Sequence, residues 1–235
     1  MISLNKYSQA EWVSLLTGEV LTFNLLGRAL YMEPERAWLQ SLATDDIFSE
    51  APLGNEQPDV QSGLLLLQEW TLRNRNGLND EAFESLKNDY TRLFQGPGKV
   101  LAPPWESVHF SEERMTFQQQ TLDVRNWYRR FGLQAINLYQ EPDDHIGLEL
   151  LFVAHLAQHS LLALEQNETA VFDELLSAQC DFLSAHPLTW TALWSKDVHT
   201  HAKTDFFRGL AMLTQGVLTE VSLKLDLKPT LELKR

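Results

Sequence analysis

Cysteine is nearly missing from this chain: Cys180 is the one instance in 235 residues. No internal disulfide can form, and Cys₄ or Cys₃His zinc centres are excluded. Positive charge is also scarce. The chain carries 19 Lys and Arg against 32 Asp and Glu, which gives 19 − 32 = −13. Phosphate neutralisation needs clustered Lys and Arg, so no nucleic-acid partner is expected. Adhesion to an anionic membrane is equally disfavoured. The longest apolar stretch, 148–164, is broken by Glu149, His155, Gln158 and His159. No transmembrane span and no stable membrane insertion are therefore expected. The opening Met1-Ile-Ser-Leu-Asn-Lys6 has no basic region followed by an apolar run. A secretory signal is not expected there, and a cytoplasmic location is. GxSxG, GxGxxG and CxxC patterns are all absent. The string Gly96-Pro97-Gly98-Lys99 is not a phosphate loop, because Val100 stands where that loop needs a hydroxyl.

What remains is an ordinary globular composition, with 44% hydrophobic and 22% charged residues. A chain this long hides roughly 70% of its unfolded surface, enough for a core without staples. Its apolar spacing is helical nearly throughout. Helices are predicted over 11–30, from Pro34, over 59–75, and from 79 through Phe94, where Phe83, Leu86, Tyr90, Leu93 and Phe94 share a face. More are predicted from Ser111 to about Phe131, from Pro142 toward Leu164, over 168–185 and over 204–225. A weak alternation at Val221, Leu223 and Leu225 is the one strand-like pattern. The expectation is an all-α, single-domain helical bundle of about nine or ten helices over 1–235, with Lys228–Arg235 as a loose tail.

Two loops carry more information than connections need. In the first, Gly96-Pro97-Gly98 stops a helix, and Pro103-Pro104 then holds an extended path that presents Trp105. A rigid loop offering a tryptophan suits a peptide or ligand pocket, and equally a packed connection. The second is Gln140-Glu-Pro142-Asp-Asp-His145-Ile-Gly147. Pro142 and the acids suit a helix start. At 100° per residue His145, Glu149, Phe152, Leu156 and His159 lie on one side of that helix. His145 and Glu149 form either a capping network or the polar floor of a pocket, with Asp144 or Glu141 orienting the imidazole.

Enzyme signals are weak. His155 and His159 have the i, i+4 spacing of zinc ligands, but Leu156 stands where a zincin needs Glu. His199 and His201 fall in a polar stretch between predicted helices. Cys180 sits in an apolar helix and reads as an inert buried thiol. The string Arg129-Arg130-Phe131-Gly-Leu133 superficially resembles a twin-arginine signal, yet it stands far from the N-terminus at the end of a predicted helix.

The two loops together resemble the TorD/DmsD family of redox-enzyme maturation proteins. The residues that carry the likeness are Tyr90-x-Arg-Leu-Phe94-x-Gly-Pro97, Ala102-Pro-Pro-Trp105-Glu-Ser107-Val108, Leu122-Asp-Val-Arg-Asn-Trp127-Tyr-Arg-Arg-Phe-Gly132 and Glu141-Pro-Asp-Asp-His145-x-Gly147. The likeness covers about 89–164 and leans to the DmsD branch. It implies a chaperone and not an enzyme, without cofactor or metal. It implies binding of the twin-arginine signal peptide of a molybdopterin-containing reductase, which is held until its cofactor is loaded. The implied partners are that leader, the precursor of the molybdoenzyme's catalytic subunit, and components of the twin-arginine translocase. The implied peptide-binding residues are Tyr90, Leu93, Phe94, Pro104, Trp105, Ser107, Glu141, Pro142, Asp144 and His145. An apolar groove of Leu93, Phe94 and Trp105 would take the leader's apolar stretch, and Glu141 and Asp144 its guanidiniums. The alternatives are a metal-dependent enzyme using His145, His155 and His159, and a scaffold for a folded client.

Overall fold

The protein is described here from a computed structural model, which describes residues 6–135 and 140–230. Ten α-helices and no strand occur among those residues, as the all-α reading expects. The helices are α1 Gln9–Tyr31, α2 Arg36–Thr44, α3 Pro58–Asn74, α4 Asp80–Tyr90, α5 Glu106–Phe110, α6 Gln119–Arg130, α7 Ile146–Glu165, α8 Thr169–Ala185, α9 Pro187–His201 and α10 Asp205–Lys224. A π-helical turn, Thr91–Gln95, extends α4. Its closing bond runs from Gly96 N–H to Thr91 O at 2.8 Å.

The chain groups into two compact units. One comprises Met1–Tyr31, Trp105–Trp190 and Val221–Arg235; the other comprises Met32–Pro104 and Thr191–Glu220. In the first, α1 crosses α7 so closely that a Cβ on Gly27 would stand 2.8 Å from Gly147 O, and one on Gly147 2.7 Å from Gly27 O. Only glycine lets two helix backbones approach this far. The second unit repeats the device between α3 and α10. A Cβ on Gly63 would stand 2.8 Å from Gly209 O, and one on Gly209 2.9 Å from Gly63 O. Aromatics fill both interiors. Trp12, Phe172 and Phe182 are fully buried in the first unit, and Phe94 and Trp194 stack at 6.2 Å in the second. Asp89 closes the second unit locally: its Oδ2 accepts from the N–H groups of Lys203 and Thr204, at 2.9 and 2.8 Å, at the start of α10.

Several boundaries differ from the sequence expectation, each for a local reason. Ser111 does not open a helix. Arg114 and Phe117 hold φ of 55° and 58°, a left-handed backbone that cannot continue an α-helix, and α6 starts at Gln119. Pro142 is not a first-turn residue either, since α7 begins at Ile146 with His145 as its cap. Residues 187–201 form α9, so His199 and His201 lie in its last turn and not between helices. The alternation at Val221, Leu223 and Leu225 belongs to the end of α10 and not to a strand. By length and composition alone α7 could cross a membrane, but most of it is buried inside the chain. Of the expected tail, residues 231–235 lie outside the described residues, while Thr230 N–H donates to Ser184 O at 2.7 Å. Cys180 is buried, and its thiol is pushed up to about 12, chiefly by burial.

One buried polar pair sets a pH dependence. Glu19 of α1 is fully buried and accepts from Gln179 Nε2 of α8. Burial raises its carboxyl to about 8, against 4.5 in an unfolded chain. The folded form therefore binds a proton that the unfolded form has released, and stability falls as pH rises through that window. Glu19→Gln is expected to raise the thermal midpoint at pH 8.5 and to leave it nearly unchanged at pH 4.5. Differential scanning calorimetry at the two pH values measures this. An equal effect at both would show that Glu19 carries no raised pKa.

Candidate functional site

The first unit concentrates buried polar groups where the segment before α7 meets the segment before α5. Trp105 and His145 face each other across an isolated antiparallel bridge, and Glu106 N–H donates to Asp144 O at 2.9 Å. The Asp144 side chain is fully buried. Its Oδ2 accepts from Ser107 N–H at 2.6 Å and its Oδ1 from Thr121 Oγ1 at 2.7 Å. One carboxylate thus ties the first turn of α5 and the first turn of α6 to the approach to α7. Beside it, buried Asp143 receives Arg125 Nε at 3.0 Å and Nη2 at 2.6 Å on one oxygen. Tyr128 Oη donates to Asp143 O at 3.1 Å.

His145 caps α7. Its Nδ1 accepts from Gly147 N–H at 3.0 Å, which places the ring proton on Nε2. Burial lowers its pKa to about 3, so the imidazole is neutral at physiological pH. Nε2 stands 3.9 Å from Glu141 Oε1, beyond hydrogen-bond range. Glu141 is half-buried, and burial raises its carboxyl. The half-buried Trp105 indole opposes that rise as a hydrogen-bond donor to Glu141, although Nε1 makes no bond of full geometry among the described residues. Ser107 Oγ is also buried without a partner among the described residues.

The placements sort the expected residues. Trp105, Ser107, Glu141, Pro142, Asp144 and His145 fall together in the first unit. Tyr90, Leu93, Phe94 and Pro104 belong to the second unit, where all four are buried. Tyr90 and Phe94 pack on Phe207 with ring centroids 5.9 and 5.6 Å away. The π-helical turn holds the proline loop, since Ala102 N–H donates to Leu93 O at 2.9 Å. Glu149 is fully buried, and its Oε2 receives Trp190 Nε1 at 3.3 Å. The rings of His155 and His159 lie 4.3 Å apart and tilted on α7, while His145 is engaged in its cap, so the three histidines form no common cluster. Among the described residues no group of three or more metal-ligating side chains could hold an ion.

Glu106 and His186 are central residues that sequence reasoning missed. Both are buried, with Glu106 Oε2 at 2.8 Å from His186 Nδ1. Burial raises the Glu106 carboxyl, and the His186 contact counters it. Glu149 is raised well above its usual range by burial and by the nearby Glu106 and Asp144 carboxylates. The signal was available in part. Glu106 follows Trp105 in a motif already singled out, but the 80-residue separation from His186 hides the pair.

The profile of a family described as nitrate reductase delta subunit matches residues 55–195. A Haemophilus influenzae protein named a probable Tat proofreading chaperone DmsD is 27% identical over 212 residues, covering 90% of this chain and 94% of its own. The Tat proofreading chaperone DmsD of Salmonella typhimurium is 27% identical over 205 residues, covering 85% and 87%. The chaperone protein TorD of Aliivibrio fischeri is 26% identical over 217 residues, covering 92% and 90%.

The Asp144 clamp makes a stability prediction. Asp144→Ala removes two buried charge-assisted bonds and leaves the Ser107 N–H without its acceptor. A loss of about 3 kcal/mol is expected. Urea unfolding checks it, as a lower midpoint at unchanged slope. A midpoint equal to that of the parent would remove Asp144 from its structural role. His145→Asn retains a capping acceptor and removes the neutral-only imidazole. The parent loses stability as pH falls below about 6.5, where the unfolded histidine protonates and the buried one does not. The variant should lose less between pH 6.5 and 4.5 in the same measurement.

Proposed function

The chain belongs to the nitrate reductase delta subunit family, and from that premise we propose that it is a chaperone binding the twin-arginine signal peptide of a molybdopterin-containing reductase. It acts in the cytoplasm, by binding and without a catalytic step. It holds the precursor of the catalytic subunit while the cofactor is loaded, and so delays export through the twin-arginine translocase. Nearly full-length similarity to proteins named Tat proofreading chaperones supports the reading.

The observation that carries it is the Trp105–Glu141 pair on the Asp144 clamp. An indole and a carboxyl, each half-buried, stand side by side, and the indole N–H makes no bond of full geometry among the described residues. An indole face and a partly desolvated carboxylate are the complements of an arginine side chain. Buried Asp144 contributes by fixing Ser107 and Thr121, and Glu141 supplies the accessible carboxylate. Pro142 restricts the backbone between them. Within their own unit Leu93 holds the proline loop through Ala102, and Tyr90 and Phe94 pack on Phe207.

Trp105→Ala is expected to weaken binding of a synthetic twin-arginine leader by more than ~1 kcal/mol, the usual threshold of an interface hot spot. Titration calorimetry measures this, and affinity of the parent should fall with added salt. Unchanged affinity in the folded variant, or an affinity indifferent to salt, would sink the assignment.

A further inference from the structure

Within the first unit a cavity of about 490 Å³ lies beside the clamp, lined by residues of α5, α6 and the α8–α9 junction. On α6 its wall is the row Gln120, Asp123, Trp127 and Arg130, spaced three, four and three residues apart. That spacing is one helix face. Phe110 supplies a second aromatic. Exposure is graded across the lining: Arg130 is exposed, Phe110, Asp123 and Trp127 are half-buried, and the Glu106–His186 pair is buried. The cavity therefore has a depth, with acid at its closed end.

The charges around it do not balance. Asp123 accepts a hydrogen bond from Gln119 Nε2 at 2.8 Å and makes no ion pair among the described residues. Arg130 does not neutralise it. That guanidinium lies 5.4 Å over Trp127 and 3.8 Å from Glu174. At the closed end, one imidazole serves Glu106, while Asp144 and Asp123 both repel a charge on it. A cation between Asp123 and Glu106 would relieve this repulsion. The aromatic walls narrow which cation. A compact ammonium keeps its water, whereas a planar, weakly hydrated guanidinium stacks on rings and donates in a fork. Arg130 against Trp127 already displays that mode. Outside the cavity, exposed Met115, Phe117 and Leu122 give apolar surface in the same stretch of chain for whatever carries the guanidinium.

We propose that this cavity is an arginine subsite, in which Asp123 and Glu106 take the guanidinium of one leader arginine and Phe110 and Trp127 flank it. The inference rests on the leader-binding reading for the identity of the ligand. It moves one guanidinium away from Asp144, whose two oxygens already accept from Ser107 and Thr121. It also gives Glu106 a use that capping and packing leave unexplained.

Two measurements test it. Titration of a synthetic twin-arginine leader should show roughly tenfold weaker binding to Asp123→Asn, with binding retained in Asp123→Glu. The loss should vanish when the leader's two arginines are replaced by glutamine. Asp123 is half-exposed, so these variants are expected to fold, and circular dichroism checks that they do. Separately, L-argininamide should shift the Trp127 indole resonance of the parent in NMR spectra, identified by its loss in Trp127→Phe. It should leave the indole resonances of Asp123→Asn in place. An affinity of Asp123→Asn within twofold of the parent overturns the subsite, as does equal loss with the arginine-free leader. An indole unmoved by argininamide overturns it too. A moved indole with no leader binding to the parent would uphold the subsite and count against the leader as its ligand.

Discussion

One buried carboxylate organises the region on which the rest of the first unit's chemistry depends. Asp144 accepts from the backbone of α5 and the hydroxyl of α6, and its own carbonyl accepts from Glu106. Three segments distant in sequence are thereby set to within hydrogen-bond tolerance of one another. Its neighbours complete the junction in both directions. Asp143 secures Arg125 of α6, and His145 caps α7. Such a junction withstands burial because both Asp144 oxygens and one Asp143 oxygen meet donors aimed at them, while Asp143 Oδ1 has no partner among the described residues. Without it, Trp105 and Glu141 would have no fixed relation, and neither would Glu106 and Asp123.

The same junction gathers negative charge in a place that disfavours it. Glu106, Glu149 and Asp144 interact, with His186 and Trp190 as the local donors. Burial and mutual repulsion push Glu149 toward its protonated form, which lowers the cost of the cluster. The net charge of −13 is thus of two kinds. Most of it solvates the surface, and a small part is held under strain where a cation would be welcome.

Helical class was legible because apolar spacing is a local property. The segments around 9–31, 58–74 and 169–185 emerge within a residue or two of where the spacing puts them. Boundaries failed where a backbone detail decided. Ser111-Glu-Glu has every mark of a helix start, yet the left-handed residues Arg114 and Phe117 postpone it to Gln119. Those conformations belong to turns in a largely exposed loop, where Arg114 N–H donates to Ser111 O and Met115 N–H to Ser111 Oγ, and no local rule reports them. Pro142 and the two acids likewise look like a first turn, but their side chains and carbonyls are already engaged as a linker to α5 and α6. Of the site, the motifs located the right segments and could not assign burial. Asp144 and Glu141 look interchangeable in sequence; one is a closed structural acceptor and the other is half-open. Glu106 and His186, 80 residues apart, had no pattern to join them.

That difference in burial separates two duties that one motif seemed to combine. A carboxylate that already accepts two short bonds in a dry interior gains little from a guanidinium and loses its clamp by turning to one. A carboxylate at the edge of a cavity, kept partly dry and without a cationic partner among the described residues, gains both hydrogen bonds and relief from its neighbours. The first kind belongs to the scaffold, and Asp143 and Asp144 are of that kind. On the proposed reading the second kind serves recognition, and Glu141 and Asp123 are the acids of that kind. Recognition of an arginine-bearing segment is then a property of acids that the scaffold positions but does not consume, and the clamp acts on binding only through the places where it holds them.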